Sequence, residues 1–435
     1  KCSTFAVEMN RFLSFISSSG VRNVLKLLSA NVVAQVIGLV VYPFLTRMYS
    51  PEDFGLLNLF LSIGNVLVVL ALADYYYSIV LPKEERQASS LVHASLILLV
   101  LTTGLLAVSI FFSKQVAHLF NSPHLAEYYW LLPIYVFIMG LWNILNYWYI
   151  RQKRFGSIST YQVSQNALSA GGKLLFGYAG VLQGGMIYSV VLAPVISLVV
   201  SIVVRFREVL RPLMSVSVNG IREMSKKYRN FPLYVLPRSL VNVLSGQLPV
   251  LLLTPFFGGR FVGLFSMALL LGYMPIGTIS RALYQVMYQH SIESVHHAQR
   301  IGQVFWRFIG YTSLVVIPIF VLLYFVLPDL TDWLLGGEWR VVGEYIRWML
   351  PWLFVSLLTG STCYLSDVFM QQKKGLFFEI LLFVSRVVGL GIGVWYNDFT
   401  LAIAGYSIGT ALAIFAQLVW LSCLVRRYDN GLSIK

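Results

Sequence analysis

Charged residues make up only 11% of this 435-residue chain, against roughly 25% in a soluble domain. Acids are scarcer than bases, 18 Asp and Glu against 32 Lys and Arg. So little charge cannot clothe the surface of a protein this size, which excludes a soluble globule. Three cysteines, Cys2, Cys363 and Cys423, show no paired spacing, so neither a disulfide framework nor a metal cluster is expected. His296 and His297 adjoin each other with no third ligand near them, and no metal is expected there. No Gly-rich phosphate loop or nucleophile elbow occurs, so catalytic residues and a cofactor are not expected and ATP-driven transport by this chain alone is disfavoured. Residues 1–30 lack an apolar core followed by a small-residue cleavage site, so no cleavable signal is expected. Because the chain begins with Lys, an initiator or short segment is expected to precede it.

What the chain has in place of charge is apolar length: 57% of its residues are hydrophobic. The apolar runs each extend over about 20 residues, which at 1.5 Å per helical residue spans a hydrocarbon core of roughly 30 Å. Twelve helices are expected at 24–46, 56–73, 89–112, 129–150, 158–180 and 186–204, then 231–253, 262–284, 308–327, 345–365, 376–395 and 401–425. The cations sort onto alternate gaps. Twenty-three fall on the N-terminus, the even-numbered connections and the tail; four (Arg47, Lys114, Arg260, Arg340) fall on the odd-numbered ones. By the positive-inside rule both termini are expected in the cytoplasm. The net charge of +14 then reflects topology and an anionic leaflet, with no nucleic acid needed.

A basic cytoplasmic linker at 205–230 separates two six-helix halves, 24–204 and 231–425, with a cytoplasmic segment at 1–23 and a tail at 426–435. Short echoes cross the linker in order. Glu127 to Pro133 resembles Glu344 to Pro351, Gln152–Lys153–Arg154 resembles Gln372–Lys373–Lys374, and Phe54–Gly55–Leu56 resembles Val262–Gly263–Leu264. With six helices each, both copies keep one orientation, as in transporters with a parallel repeat. The longest outward loop is 328–344. Loops this short argue against a membrane polysaccharide polymerase, which needs an outward surface for its acceptor.

Five cations remain inside or beside apolar spans: Lys173, Arg238, Arg281, Arg347 and Arg386. Each costs about 2.5–3.5 kcal/mol at a helix centre and is expected to face a wet cavity or a partner. A cationic interior suits an anionic cargo, phosphate above all. Lys173, Arg238, Arg281 and Arg386, with Arg47, are the candidate cationic substrate-binding set. Arg347 reads as a snorkelling side chain near a helix end. Arg281 shares a face with Tyr284 and Tyr288, as a headgroup gate or as an ordinary snorkeller. Glu379 and Arg386, seven apart on one helix, form either a functional pair or a structural polar seam. Asp74 is a candidate for ion coupling or, more simply, an interfacial cap, and Asp367 is expected to meet Lys373 or Lys374. Asn143, Asn146, Gln165, Asn166, Asn242 and Gln247 are candidate polar cavity residues. Pro43, Pro232, Pro237 and Pro249 are candidate hinges, and the seventh helix, which holds three of them, is the expected bending element.

Tyr42–Pro43–Phe44–Leu45–Thr46–Arg47–Met48–Tyr49–Ser50–Pro51–Glu52–Asp53–Phe54–Gly55 resembles the corresponding segment of O-antigen flippases of the Wzx type. So do Ser78–Ile79–Val80–Leu81–Pro82–Lys83 and Leu335–Gly336–Gly337–Glu338–Trp339–Arg340 with Tyr345 and Leu350–Pro351. Two positions before Ser78, where that family often carries an acid, this chain has Tyr76; its acid is Asp74. The resemblance implies an all-α membrane protein with two six-helix lobes in the V-shaped fold of the multidrug/oligosaccharidyl-lipid/polysaccharide exporters, in a bacterial inner membrane. It implies as cargo an undecaprenyl-pyrophosphate-linked oligosaccharide repeat unit moved to the periplasmic leaflet, with a polysaccharide polymerase and chain-length regulator as further partners. A drug/cation antiporter of the same superfamily is the alternative. It would want buried carboxylates, and the excess charge in these spans is positive.

Overall fold

A computed structural model describes residues 40–204, 216–296, 300–369 and 371–432, and these are helical almost throughout. A helix end at residues 40–48 is followed by α1 (Pro51–Leu72), α2 (Glu85–Val108), α3 (Leu131–Arg151), α4 (Phe155–Tyr178), α5 (Leu182–Val204) and α6 (Val218–Lys227). The second set is α7 (Leu236–Phe257), α8 (Gly259–His296), α9 (Gly302–Leu335), α10 (Arg340–Thr362), α11 (Gln372–Trp395) and α12 (Phe399–Leu432). Shorter helical turns join several of them.

Ten helices among the described residues are long and apolar enough to cross a membrane, which makes this a multi-pass membrane protein. The count differs from the expected twelve for two reasons. Most of the first expected span lies outside the described residues. The fifth, α4, forms a 24-residue helix whose Ser, Gln, Asn and Gly content keeps it below the hydropathy of a lipid-facing span. Several helices also overrun their expected bounds: α8 has 38 residues, and α9 and α12 have 34 each. At 1.5 Å per residue α8 is about 57 Å long, beyond any hydrocarbon core, so its ends stand outside the bilayer.

The chain folds as two compact units. One holds Ile63–Val116 and Pro123–Leu240; the other holds Tyr49–Ser62, Ala117–Ser122 and Val241–Lys435. The division therefore cuts α1 after Ser62 and α7 after Leu240. In the first unit the expected linker is partly built: α6 packs on α2, with Ser217 accepting from the Gly220 amide at 3.1 Å as N-cap, while residues 205–215 lie outside the described set. The Tyr75 hydroxyl donates to the Ser225 carbonyl at 3.1 Å and ties α6 to the turn after α1. Arg151 gathers that same turn, donating to the carbonyls of Ile79, Val80, Pro82 and Lys83.

In the second unit the start of α1 explains its sequence residue by residue. Ser50 is the cap and Pro51 stands at the first helical position, where its missing N–H costs nothing. Asp53 accepts from the Ser50 amide and hydroxyl, both at 2.9 Å, and its own amide donates back to the Ser50 hydroxyl at 3.3 Å. Phe54 meets the buried Trp339 edge to face at 5.1 Å. Gly55 is there because a Cβ would collide with the Gly259 carbonyl, and one on Gly263 would collide with Pro51. The helices α11 and α12 pack through a second small-residue seam, Gly389 on Gly405 and Gly393 on Ala402, close enough for backbone to touch backbone. The helices α8, α9, α10 and α12 share an apolar core around Phe305, Leu358 and Leu421, with Tyr364 just after α10. Asp429 closes it by accepting from the amides of Ile301 and Gly302 at the start of α9, at 3.0 and 2.9 Å.

Candidate functional site

Within the second unit α7, α8, α10, α11 and α12 enclose a cavity of about 370 Å³. Three residues expected from sequence reach it together: Asn242 from α7, and Glu379 and Arg386 from α11. The seven-residue spacing puts the two charges on one helix face, two turns apart. Arg386 is held from two sides. Its Nη1 donates to the Ser245 hydroxyl at 2.9 Å and to the Ser245 carbonyl at 3.3 Å; its Nε donates to the Thr410 hydroxyl at 3.4 Å. The guanidinium carbon lies 5.3 Å from the centre of the Tyr406 ring, a cation–π distance. Arg386 thus bonds polar groups of two neighbouring helices, α7 and α12, while Glu379 lines the same cavity.

Three aromatic residues of the wall, Tyr273, Trp352 and Tyr406, were not expected. Tyr273 stacks on Trp352 at 5.5 Å and 29°, and Trp352 meets Tyr406 edge to face at 6.3 Å. Trp352 is 2% exposed and its indole N–H has no acceptor among the described residues. Aromatic residues inside apolar helices look like lipid-facing or core residues in a sequence. The usable signal was Tyr406, a phenol deep in α12 with no interfacial position to explain it.

Gln247 takes a different path. Its carbonyl oxygen accepts from the Ser62 hydroxyl at 2.7 Å, and it is not part of the cavity wall. Arg281 is exposed and its Nε donates to the Gly277 carbonyl of its own helix at 3.2 Å. The tyrosines expected beside it pack elsewhere: Tyr284 stacks on Tyr288, and both rings sit edge to face against Tyr364. Arg47 is exposed. Arg347, expected to snorkel, is instead a backbone partner. It donates to the carbonyls of Tyr324 and Phe325 and lies 5.2 Å from the Tyr324 ring. Pro328 sits four residues after Tyr324 and has no N–H to give it, so Arg347 replaces the missing donor.

In the first unit the candidates spread along α3, α4 and the start of α7. Trp142 and Tyr161 stack face to face and bind α3 to α4. Asn143 is half-buried; Asn146 buries a side-chain oxygen that finds no partner among the described residues. On α4, Gln165 and Lys173 are half-buried, while the exposed Asn166 donates to the Gln162 carbonyl of its own helix at 2.8 Å. Arg238 is exposed near the start of α7. A π-turn over Phe231–Val235 precedes that helix, with Pro232 inside it and Pro237 at the start of α7, neither of which can donate; the Leu236 amide bonds back to the Phe231 carbonyl. Of the other two hinge candidates, Pro249 is buried within α7 and Pro43 lies in the helix end before α1.

Asp74 departs from the expected interfacial cap. It follows Ala73 in the left-handed region (φ 42° and 57°), is fully buried, and makes no capping bond. Beside it Tyr76, Tyr77 and Tyr147 form a ring cluster with centroids 4.3–5.0 Å apart. Burial pushes the Asp74 carboxyl above the usual carboxylate range, opposed in part by the Ser239 hydroxyl.

The family model described as "Polysaccharide biosynthesis protein" matches residues 44–344. The chain belongs to that polysaccharide biosynthesis family. Its fold is similar to that of an inward-facing multidrug-resistance MATE transporter of the MOP superfamily (16% identity, TM-score 0.70, covering 91% of this chain and 96% of that one). It is equally similar to that of the lipid II flippase MurJ in an inward closed conformation (12% identity, TM-score 0.71, 94% and 91%). No curated protein matches the chain. The family match covers the capping segment at Ser50–Gly55, Asp74, the candidates of the first unit and the α7 side of the second-unit cavity; Glu379 and Arg386 lie beyond it.

Proposed function

We propose that this polysaccharide biosynthesis protein is a flippase. It carries an undecaprenyl-pyrophosphate-linked oligosaccharide repeat unit, of O antigen or a similar surface polysaccharide, from the cytoplasmic to the periplasmic leaflet of a bacterial inner membrane by alternating access. The observation that carries the reading is the coincidence, in one chain, of the polysaccharide family over residues 44–344 with an exporter fold shared by a lipid II flippase. The physical chemistry agrees with it. A pyrophosphate cannot cross hydrocarbon unaided, and half-buried or exposed cations in and beside the spans (Lys173, Arg238, Arg281, Arg47) offer it a substitute for water. The helix α4 is too polar to face lipid and supplies hydroxyls and amides for a glycan. With the cytoplasm negative, outward movement of an anion gains about 2.3 kcal/mol per charge per 100 mV, so no ATP is required.

The test is deletion of the gene followed by extraction of lipid-linked oligosaccharide. Single repeat units are expected to accumulate facing the cytoplasm, relieved by the wild-type chain but not by Lys173→Ala or Arg238→Ala at equal abundance. Units that reach the outer leaflet and are transferred without being polymerised would make the protein a polymerase. An unchanged lipid pool with altered drug sensitivity would make it a drug/cation antiporter.

A further inference from the structure

Arg386 and Glu379 stand in the wall of one cavity with Tyr273, Trp352 and Tyr406, and that combination restricts what the cavity can hold. Pyrophosphate would want an excess of cations and no carboxylate; here one guanidinium is balanced by one acid. An organic cation would suit Glu379 and the rings, but would meet Arg386 in the same space. A sugar ring fits every part. Its C–H face lies against the electron-rich face of an aromatic ring, and its hydroxyls each donate and accept.

We propose that this cavity is a saccharide-binding site that holds part of the carried glycan and not its pyrophosphate. The proposal rests on the flippase reading and adds to it the place where the sugar is held. Tyr273, about half exposed and stacked on Trp352, is the plate for the ring. Nη2 of Arg386 is a donor, since its Nε and Nη1 are taken by Thr410 and Ser245, and the buried Trp352 indole N–H beside it has no acceptor among the described residues. Glu379 accepts, and the Asn242 amide does both. A volume of about 370 Å³ lies within the usual range for small-molecule sites. Arg386 thus moves from the pyrophosphate to the sugar.

The experiment uses the full chain in nanodiscs and, as probe, the oligosaccharide released from host lipid extracts by mild acid and freed of lipid and phosphate. Saturation-transfer NMR is expected to show contact concentrated on the C–H protons of one ring face. Tyr273→Leu and Glu379→Gln, each confirmed as monodisperse, should each weaken binding at least tenfold, and inorganic pyrophosphate should displace nothing. No transfer in wild type, equal binding in both variants, or displacement by pyrophosphate would overturn the site. So would tetraphenylphosphonium binding that is lost in Glu379→Gln. The flippase reading fails separately: it is lost if the deletion strain still delivers repeat units outward. If the deletion strain fails to deliver and both variants deliver normally, the flippase stands and this site does not.

Discussion

Arg347 and Arg386 are guanidiniums inside apolar helices, and their surroundings separate them. Arg347 serves the backbone, replacing the donor that Pro328 lacks, so Arg347→Met leaves the Tyr324 carbonyl without a donor in an apolar span. At about 1–3 kcal/mol for such a group, the expected result is lower thermal stability in detergent with sugar binding unchanged. Arg386 serves a cavity, and Arg386→Lys keeps its charge but loses the fork that spans Ser245 and Thr410. Export of repeat units in cells should fall while abundance holds; normal export would remove Arg386 from the site. Asp74 yields a prediction with a sign. A carboxyl whose pKa is raised by folding holds its proton more tightly in the native state. Its stabilising contribution is complete below the unfolded value of 3.8 and is lost as pH rises through the native one. Asp74→Asn, which suits the left-handed backbone there, should therefore raise the unfolding temperature at pH 7 and give little gain at pH 4. An equal gain at both would mean that the carboxyl is not held neutral. That Asp74, Arg347 and Arg386 were unusual was legible in the sequence, because charge inside apolar runs is conspicuous. What each one touches was not, because the partners are carbonyls and hydroxyls on helices far away in the chain.

Among the elements, α1 shows what a motif is for. The segment from Ser50 to Gly55 stood out through a family resemblance, and its physical content is a cap, a ring contact and a close helix crossing. Asp53→Ala should cost about 1 kcal/mol through the cap alone. Gly55→Leu, which drives a side chain into the Gly259 carbonyl, should cost much more. Comparative thermal unfolding of the two variants checks the order; equal losses would mean that the crossing yields. Proline placement was legible, and it marks the π-turn before α7. The aromatic wall of the cavity was not legible, since Tyr273 and Trp352 lie in runs where an aromatic residue has several uses. The polar character of α4 was legible in the sequence, and that polarity removes it from the helices apolar enough to count as spans.

At the scale of the whole molecule, hydropathy and length were enough to give an all-helical membrane protein, because in a bilayer each helix must satisfy its own backbone; the exporter type came from the family resemblance. The partition into units was less legible. The chain halves meet at 205–230, whereas packing assigns Tyr49–Ser62 to the second unit and residues up to Leu240 of α7 to the first. Such assignments depend on glycine crossings and ring contacts that no periodicity encodes. The central claim, transbilayer movement of a lipid-linked glycan, is tested most directly in liposomes. The purified protein is reconstituted with a lipid-pyrophosphate-linked oligosaccharide, and a membrane-impermeant glycosidase outside reads how fast the inner pool becomes accessible. The account predicts that the protected pool decays with the wild-type protein, faster when the interior is made negative, and persists with Lys173→Met. A pool that decays no faster than in protein-free liposomes would contradict it.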